Sequence, residues 1–421
     1  MKVVLKKRNR SSCLHMKILV VCQHYYPEPF RITDICEELV RRGHDVSILT
    51  DVPNYPEGEI YKEYRDGSKR NEIINGVHIY RCYTIPRKHN ILFRLLNYYS
   101  FAISSSYNAV FKTDRLKHGK NYDVVFVNQS SPVMMAYAGI AYAWKHNKKV
   151  VLYCMDLWPD SLVVGGIGRK SLVYKAFYHI SKWIYRRCDK ILTTSKMFKP
   201  HIAKQFAIKE EKIEYMPQYA ESTFDGIESK NKENSDNINL VFAGYIGIAQ
   251  DCITILRAAN YLKAYPNIVF HIVGDGLELK SLKAYAEAND LKNVVFYGRK
   301  PLSEMPKYYN MADAMLVTLG PDPIISLTLP GKVQGYMDAG KPILGAVDGE
   351  TKAVVEEAGC GMICSSGDSQ ELAENILKFS RLSEEERQNM GRNSRAYYIN
   401  EFEKDKFFRN LEKTLFEHQV L

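Results

Sequence analysis

Residues 238–251 read INLVFAGYIGIAQD. A short apolar run passes into glycines at 244 and 247, and a helical pattern opens at Gln250. A run of this length, bounded by glycine, is the mark of a buried parallel strand entering a tight turn. Backbone N–H groups in such a turn, backed by a helix N-terminus, suit an anion such as phosphate. Working outward, the unit repeats. HIVGDG (271–276) ends a second strand. VVFYGRKPLSEMPKYYNMADAMLVTL (294–319) gives strand, exposed loop, helix and strand. SLTLPGKVQGYMDAGKPILG (326–345) places Gly331 and Lys332 at a helix start, with Gly340 and Pro342 ending the helix. Strands are expected over 238–243, 268–273, 294–297, 314–318 and 342–346, alternating with helices.

The first half has the same alternation, with strands expected at 17–22, 46–50, 77–81, 123–128, 150–154 and 190–194. Ile32, Ile35, Cys36, Leu39 and Val40 recur at helical spacing before Gly43. The fold class is therefore α/β, with two Rossmann-like, doubly wound domains. The polar stretch 221–237 divides them. Expected boundaries are a basic tail over 1–15, a first domain over 16–220, the linker, a second domain over 238–397 and a closing segment over 398–421. Ligands of such sheets bind at the strands' carboxyl ends, so two facing domains enclose a cleft.

Bulk properties narrow the function. The chain has 421 residues, enough for two cores. Residues 1–204 carry 34 Lys and Arg against 16 Asp and Glu, whereas the remainder carries 24 against 32. A basic first half suits phosphorylated lipid or an anionic membrane surface, and the acidic second half argues against nucleic acid as a partner. Nine scattered cysteines without a CxxC pair argue against a disulfide framework and a zinc site, so no metal is expected. No GxGxxG follows the first strand, which disfavours a dehydrogenase. No run of 18 apolar residues is present to span a bilayer.

The order strand, GDG, helix, strand, GRKP, helix, AD and a Pro/Gly loop before DAGKPI resembles the retaining GT-B glycosyltransferases of family 4. QHYYPEPFRITDICEELVRRGHDVSILTDVPNYPEG (23–58) is similar to the N-terminal half of that family. The closer likeness is to a bacterial polysaccharide and O-antigen subgroup that includes N-acetyl-L-fucosamine transferases. The resemblance covers most of residues 17–415. It implies a GT-B fold, a nucleotide-sugar donor (UDP-sugar expected), no further cofactor, and a C-terminal segment that crosses back onto the first domain.

Carried over by position, the resemblance assigns the donor to Gly247, Gln250, Arg299, Lys300, Thr328, Leu329, Gly331 and Lys332. Lys332 would balance the departing diphosphate without a metal; an exposed helix lysine is the plainer alternative. Leu327 and Gly335 stand where many relatives carry glutamates, which leaves open a non-catalytic scaffold subunit as an alternative. Arg31 would reach donor phosphates from the first domain, or only cap its helix. Asn54, Tyr55 and Glu57 of the NYPEG turn would line the acceptor side. Asp156 would accept a hydrogen bond from the acceptor hydroxyl and Trp158 would stack on a sugar, unless they are an N-cap and a core residue.

Residues 81–120 mix eight Lys and Arg with apolar and aromatic side chains, as interfacial segments do. Together with the resemblance, whose relatives act on lipid diphosphates, this implies a cytoplasmic transferase, peripheral to the inner membrane and acting on a polyprenyl-diphosphate-linked oligosaccharide. Other polysaccharide-synthesis enzymes are expected partners.

Overall fold

The computed structural model describes residues 15–88, 91–220 and 237–419. The expected tail, apart from His15, and linker residues 221–236 lie outside the described residues. The first sheet contains β1 (Lys17–Val21), β2 (Asp45–Asp51), β3 (Asn71–Ile74), β4 (Val77–Cys82), β5 (Val124–Gln129), β6 (Val150–Cys154), β7 (Lys190–Thr193) and β8 (Ile213–Tyr215). Their order is β3-β4-β2-β1-β5-β6-β7-β8, parallel except for β3 against β4. The second sheet contains β9 (Ile238–Ala243), β10 (Ile268–Val273), β11 (Val294–Gly298), β12 (Ala314–Thr318), β13 (Ile343–Ala346) and β14 (Gly361–Cys364). Its order, β11-β10-β9-β12-β13-β14, is the 3-2-1-4-5-6 winding of dinucleotide-binding sheets. The switch points fall between β1 and β5 and between β9 and β12.

Helices cover both faces, so central strands are apolar throughout: β5 and β6 are wholly buried. Three strands escape the sequence reading. β3 is an exposed edge strand, joined to β4 through Asn75 and Gly76, both at positive φ. That Asn-Gly pair is a hairpin signal. β8 and β14, of three and four residues, are too short for a period to show.

The 397/398 boundary expected from sequence lies inside one helix, Glu384–Glu401, and the chain turns at Phe402 and Glu403 into the helix Lys404–Glu417. Phe407, Phe408, Leu411 and Leu415 of that last helix belong to the first domain's core. Burial of each contributes about 1.5–3 kcal/mol. Arg42 and His44 meet Glu412 at 3.5 and 3.1 Å on the helix's polar side.

Candidate functional site

The loops at the carboxyl ends of the two sheets approach one another. Ser195, beyond β7, donates to the Leu327 carbonyl beyond β12 at 2.6 Å. The Gln218 side chain lies close to Gly331. The cleft is therefore lined by carboxyl-end loops of both sheets.

On the second-domain wall, the Lys332 ammonium lies 3.8 Å from the centroid of the Phe242 ring. Its Nζ is buried and has no hydrogen-bond partner. Burial pulls its pKa down to about 8. Gly244 explains how the ammonium fits: φ is +146°, and a Cβ there would lie 2.9 Å from Nζ. Gly274 is needed for the same close packing, because its Cβ would overlap the Gly244 carbonyl oxygen. The β9 turn, the GDG loop and the Lys332 helix start thus converge around one unneutralised cation. An anion placed there removes the cost of burying it.

The opposite wall carries Asp156, directly beyond β6. Its Oδ2 accepts from Ser131 Oγ at 2.9 Å, and Ser131 in turn accepts from Trp158 Nε1 at 2.9 Å. Burial raises the Asp156 pKa. The second carboxylate of the segment, Asp160, has a different fate. It is fully buried and takes Tyr174 Oη, His201 Nε2, Gln205 Nε2 and Arg169 at 2.8–3.0 Å. Asp160 is committed to structure, whereas Asp156 sits on a single side-chain donor.

Beyond β1 and β2 lies a buried group that the sequence did not announce. His24 Nδ1 is 3.0 Å from Glu28 Oε2 and 3.8 Å from Asp51 Oδ1. The other Glu28 oxygen accepts from the backbone N–H groups of Asn54 and Tyr55, both at 2.7 Å, and so holds the NYPEG turn. Burial, and secondarily the Glu28 charge, push Asp51 up to about 8 against the opposing pull of His24. Burial alone would lower the His24 pKa, but the two carboxylates outweigh it and raise it. These three residues are the one set among the described residues able to ligate a cation. An imidazolium shared between two carboxylates satisfies the same set.

Two family descriptions cover nearly all of this architecture. "Glycosyltransferase Family 4" matches residues 31–218 and "Glycosyl transferases group 1" matches residues 224–397. The chain is a GT-B glycosyltransferase of the group 1/family 4 type. The transferase is 27% identical over 323 residues to "Putative colanic acid biosynthesis glycosyl transferase WcaI" of Escherichia coli K12, covering 72% of this chain and 76% of that protein. It is 25% identical over 315 residues to "Probable glycosyltransferase WbjE" of Pseudomonas aeruginosa, with the same coverage. Among solved structures, Anabaena HepE in complex with UDP and glucose has a TM-score of 0.68 at 16% identity, covering 95% of this chain and 99% of that one.

The structure places the transferase's remaining expected residues unevenly. Gly247 and Gln250 stand together on the β9 turn, with Thr318 Oγ1 donating to the Gln250 carbonyl at 2.6 Å. Arg299 is exposed and Lys300 half-buried on the loop beyond β11. Thr328 is fixed through its carbonyl by Thr351, and Gly331 is exposed. Leu329 is a correction: its side chain is buried in the second core, which leaves only backbone for a ligand. Arg31 is another. Its guanidinium donates to the Tyr219 carbonyl and stacks on the Tyr219 ring, so it ties the loop beyond β1 to the chain's exit from the first domain.

Trp158 is only 4% exposed and packs between Tyr98 and Phe177, so it offers no face to a sugar. Asn54 is fully buried: its amide donates to Asp51 and the Val52 carbonyl, and its oxygen accepts from Arg87 N. It builds the turn and cannot touch an acceptor. Tyr55 is half-buried beneath Arg87, and Glu57 is exposed. Leu327 packs against the first core while Gly335 is buried within its helix; neither position presents a carboxylate.

Proposed function

We propose that this glycosyltransferase moves a sugar, with retention, from a UDP-sugar to a polyprenyl-diphosphate-linked oligosaccharide during bacterial surface-polysaccharide synthesis. The observation that carries the reading is the buried Lys332 ammonium, unpaired by any hydrogen bond, at the convergence of the β9 turn and the GDG loop. A diphosphate seated there neutralises it, and the cation then stabilises the negative charge that grows on the leaving group. The UDP complex of the HepE structure and the polysaccharide named for the WcaI relative support the donor and the setting. An N-acetylated deoxy-amino sugar is the proposed donor sugar, from the subgroup likeness.

Asp156 is proposed to hold the attacking hydroxyl, and the departing phosphate oxygen accepts its proton on the same face. The reaction needs no protein nucleophile and no metal. Its site is proposed to be cytoplasmic, where nucleotide sugars are met. The test is UDP release from a donor panel in the presence of membrane-extracted lipid acceptor, with product mass read in parallel. Silence across every donor would overturn the proposal. Asp156→Asn is expected to lower kcat by 10²-fold or more, of the order seen for general acid–base groups, with UDP affinity held within about twofold. Equal loss of both would mark Asp156 as structural.

A further inference from the structure

Three helices of the first domain lie side by side, and their outer faces are unusual for a soluble surface. Leu92, Leu96, Tyr99, Ile103, Tyr107 and Phe111 are all exposed along Ile91–Phe111, at steps of four, three, four, four and four residues. This is one stripe of the helix, and the opposite face, with Asn97, Phe101 and Ser105, is buried. Next to it, Tyr137 of the helix Ala136–His146 shares an apolar groove of about 430 Å³ with Tyr99, Ile103, Tyr107 and Phe111. Trp183, on the helix Leu172–Arg187, has its ring 5.5 Å from that of Tyr137. Trp144, two turns beyond Tyr137, is 78% exposed. Monomeric soluble proteins rarely leave so continuous an apolar surface open to water.

Charge identifies what covers it. The three helices contain Arg94, Lys145, Lys175, Lys182, Arg186 and Arg187, and not one Asp or Glu. The cations border the patch: Lys145 lies over the Phe111 ring at 5.3 Å and Arg187 over Trp183 at 5.1 Å. Aromatic rings flanked by cations around an aliphatic centre match a bilayer interface, with rings at headgroup depth and Lys and Arg at lipid phosphates. The absence of Asp and Glu from all three helices suits a surface that lies against lipid phosphates.

We infer that this three-helix face docks flat on a bilayer leaflet bearing anionic phospholipid, with the groove at Ile103 receiving hydrocarbon. The inference rests on the proposed lipid-linked acceptor, because docking brings the cleft to a substrate that cannot leave the membrane. No helix among the described residues is long and apolar enough to cross it.

The test is flotation of the full chain with phosphatidylglycerol–phosphatidylcholine vesicles and with phosphatidylcholine alone, with nucleotide affinity and light-scattering mass measured on the same samples. Wild type should bind the anionic vesicles at least tenfold more tightly than neutral ones, with a blue shift of tryptophan emission that Trp144→Ala reduces. Ile103→Glu combined with Phe111→Glu, both exposed positions, should lower anionic-vesicle binding at least tenfold and leave UDP affinity and melting temperature unchanged. Lys145→Glu with Arg187→Glu should act alike. Equal vesicle binding by wild type and the Ile103/Phe111 variant would overturn the inference, as would a wild-type dimer that the same variant converts to monomer. Absence of UDP binding with vesicle binding intact would instead remove the donor proposal and leave the docking face standing.

Discussion

At the residue scale, the Lys332 ammonium is buried at a cost in stability. Its folded pKa, near 8, lies below the ordinary lysine value because burial disfavours the charge. Between about pH 8 and 10.5 the unfolded chain therefore binds the extra proton, and stability contributed at this site rises with pH across that window. Lys332→Met is expected to raise the melting temperature of the ligand-free protein at pH 7, by an amount that shrinks toward pH 10. Calorimetry of both proteins checks this; a lower melting temperature for the variant would show that the ammonium is not a burden. Lys332→Ala should cost kcat about 10²–10³-fold, the scale of losing one preorganised charge-stabilising group. UDP affinity in wild type should weaken as pH rises past about 8, since the neutral amine no longer attracts the diphosphate. Asp51 has the opposite sense. Its folded pKa is raised, so between about pH 4 and 8 the folded state holds the extra proton and stability falls as pH rises. Asp51→Asn should make that decline shallower in urea titrations, and parallel slopes would exclude the His24–Glu28–Asp51 group as their source.

At the element scale, the closing helix is a structural part of a domain to which it is distant in sequence. Leu411 is fully buried among first-domain residues. Leu411→Ala should cost about 2–5 kcal/mol in chemical denaturation, and the loss should appear in the first domain's transition if the two domains unfold separately. An unchanged midpoint would mean that the helix does not hold the domain. The central strands were legible because burial on both faces makes them continuous apolar runs, and β3, β8 and β14 were not because they are short or exposed. The site divides in the same way. Lys332 and Asp156 follow strand ends, where topology alone puts function. Trp158 and Asn54 occupy such ends too, but only packing reveals that their polar groups are already used. His24 and Glu28 lie on the loop beyond β1, whereas Asp51 ends β2 at 27 and 23 positions from them, so no local spacing brings it to the other two.

At the scale of the whole molecule, one carboxylate joins the two domains beside the cleft. Glu350, 2% exposed at the start of the helix Gly349–Ala358, accepts from Lys196 N at 2.9 Å and Met197 N at 3.0 Å. These N–H groups open the helix Phe198–Phe206, so a carboxylate of one domain caps a helix of the other. Lys196 also pairs with Glu357 at 3.0 Å, and the neighbouring Ser195 holds the Leu327 carbonyl, directly before the expected donor residues Thr328–Lys332. Domain approach and the shape of the donor loop therefore share one set of bonds. Removing the carboxylate leaves the Lys196 N–H without its acceptor and Met197 N with Ser195 Oγ alone, a loss of about 1–3 kcal/mol unless water reaches the site. In the two-domain protein, separation of the domains relieves that cost more cheaply than unfolding does. Glu350→Ala should therefore enlarge the radius of gyration in small-angle scattering and lower kcat, while each domain's own melting stays near wild type. Glu350→Gln, which keeps an acceptor for only one of the two N–H groups, should fall between. A variant as compact as wild type, with unchanged turnover, would show that Glu350 neither holds the domains together nor shapes the donor loop.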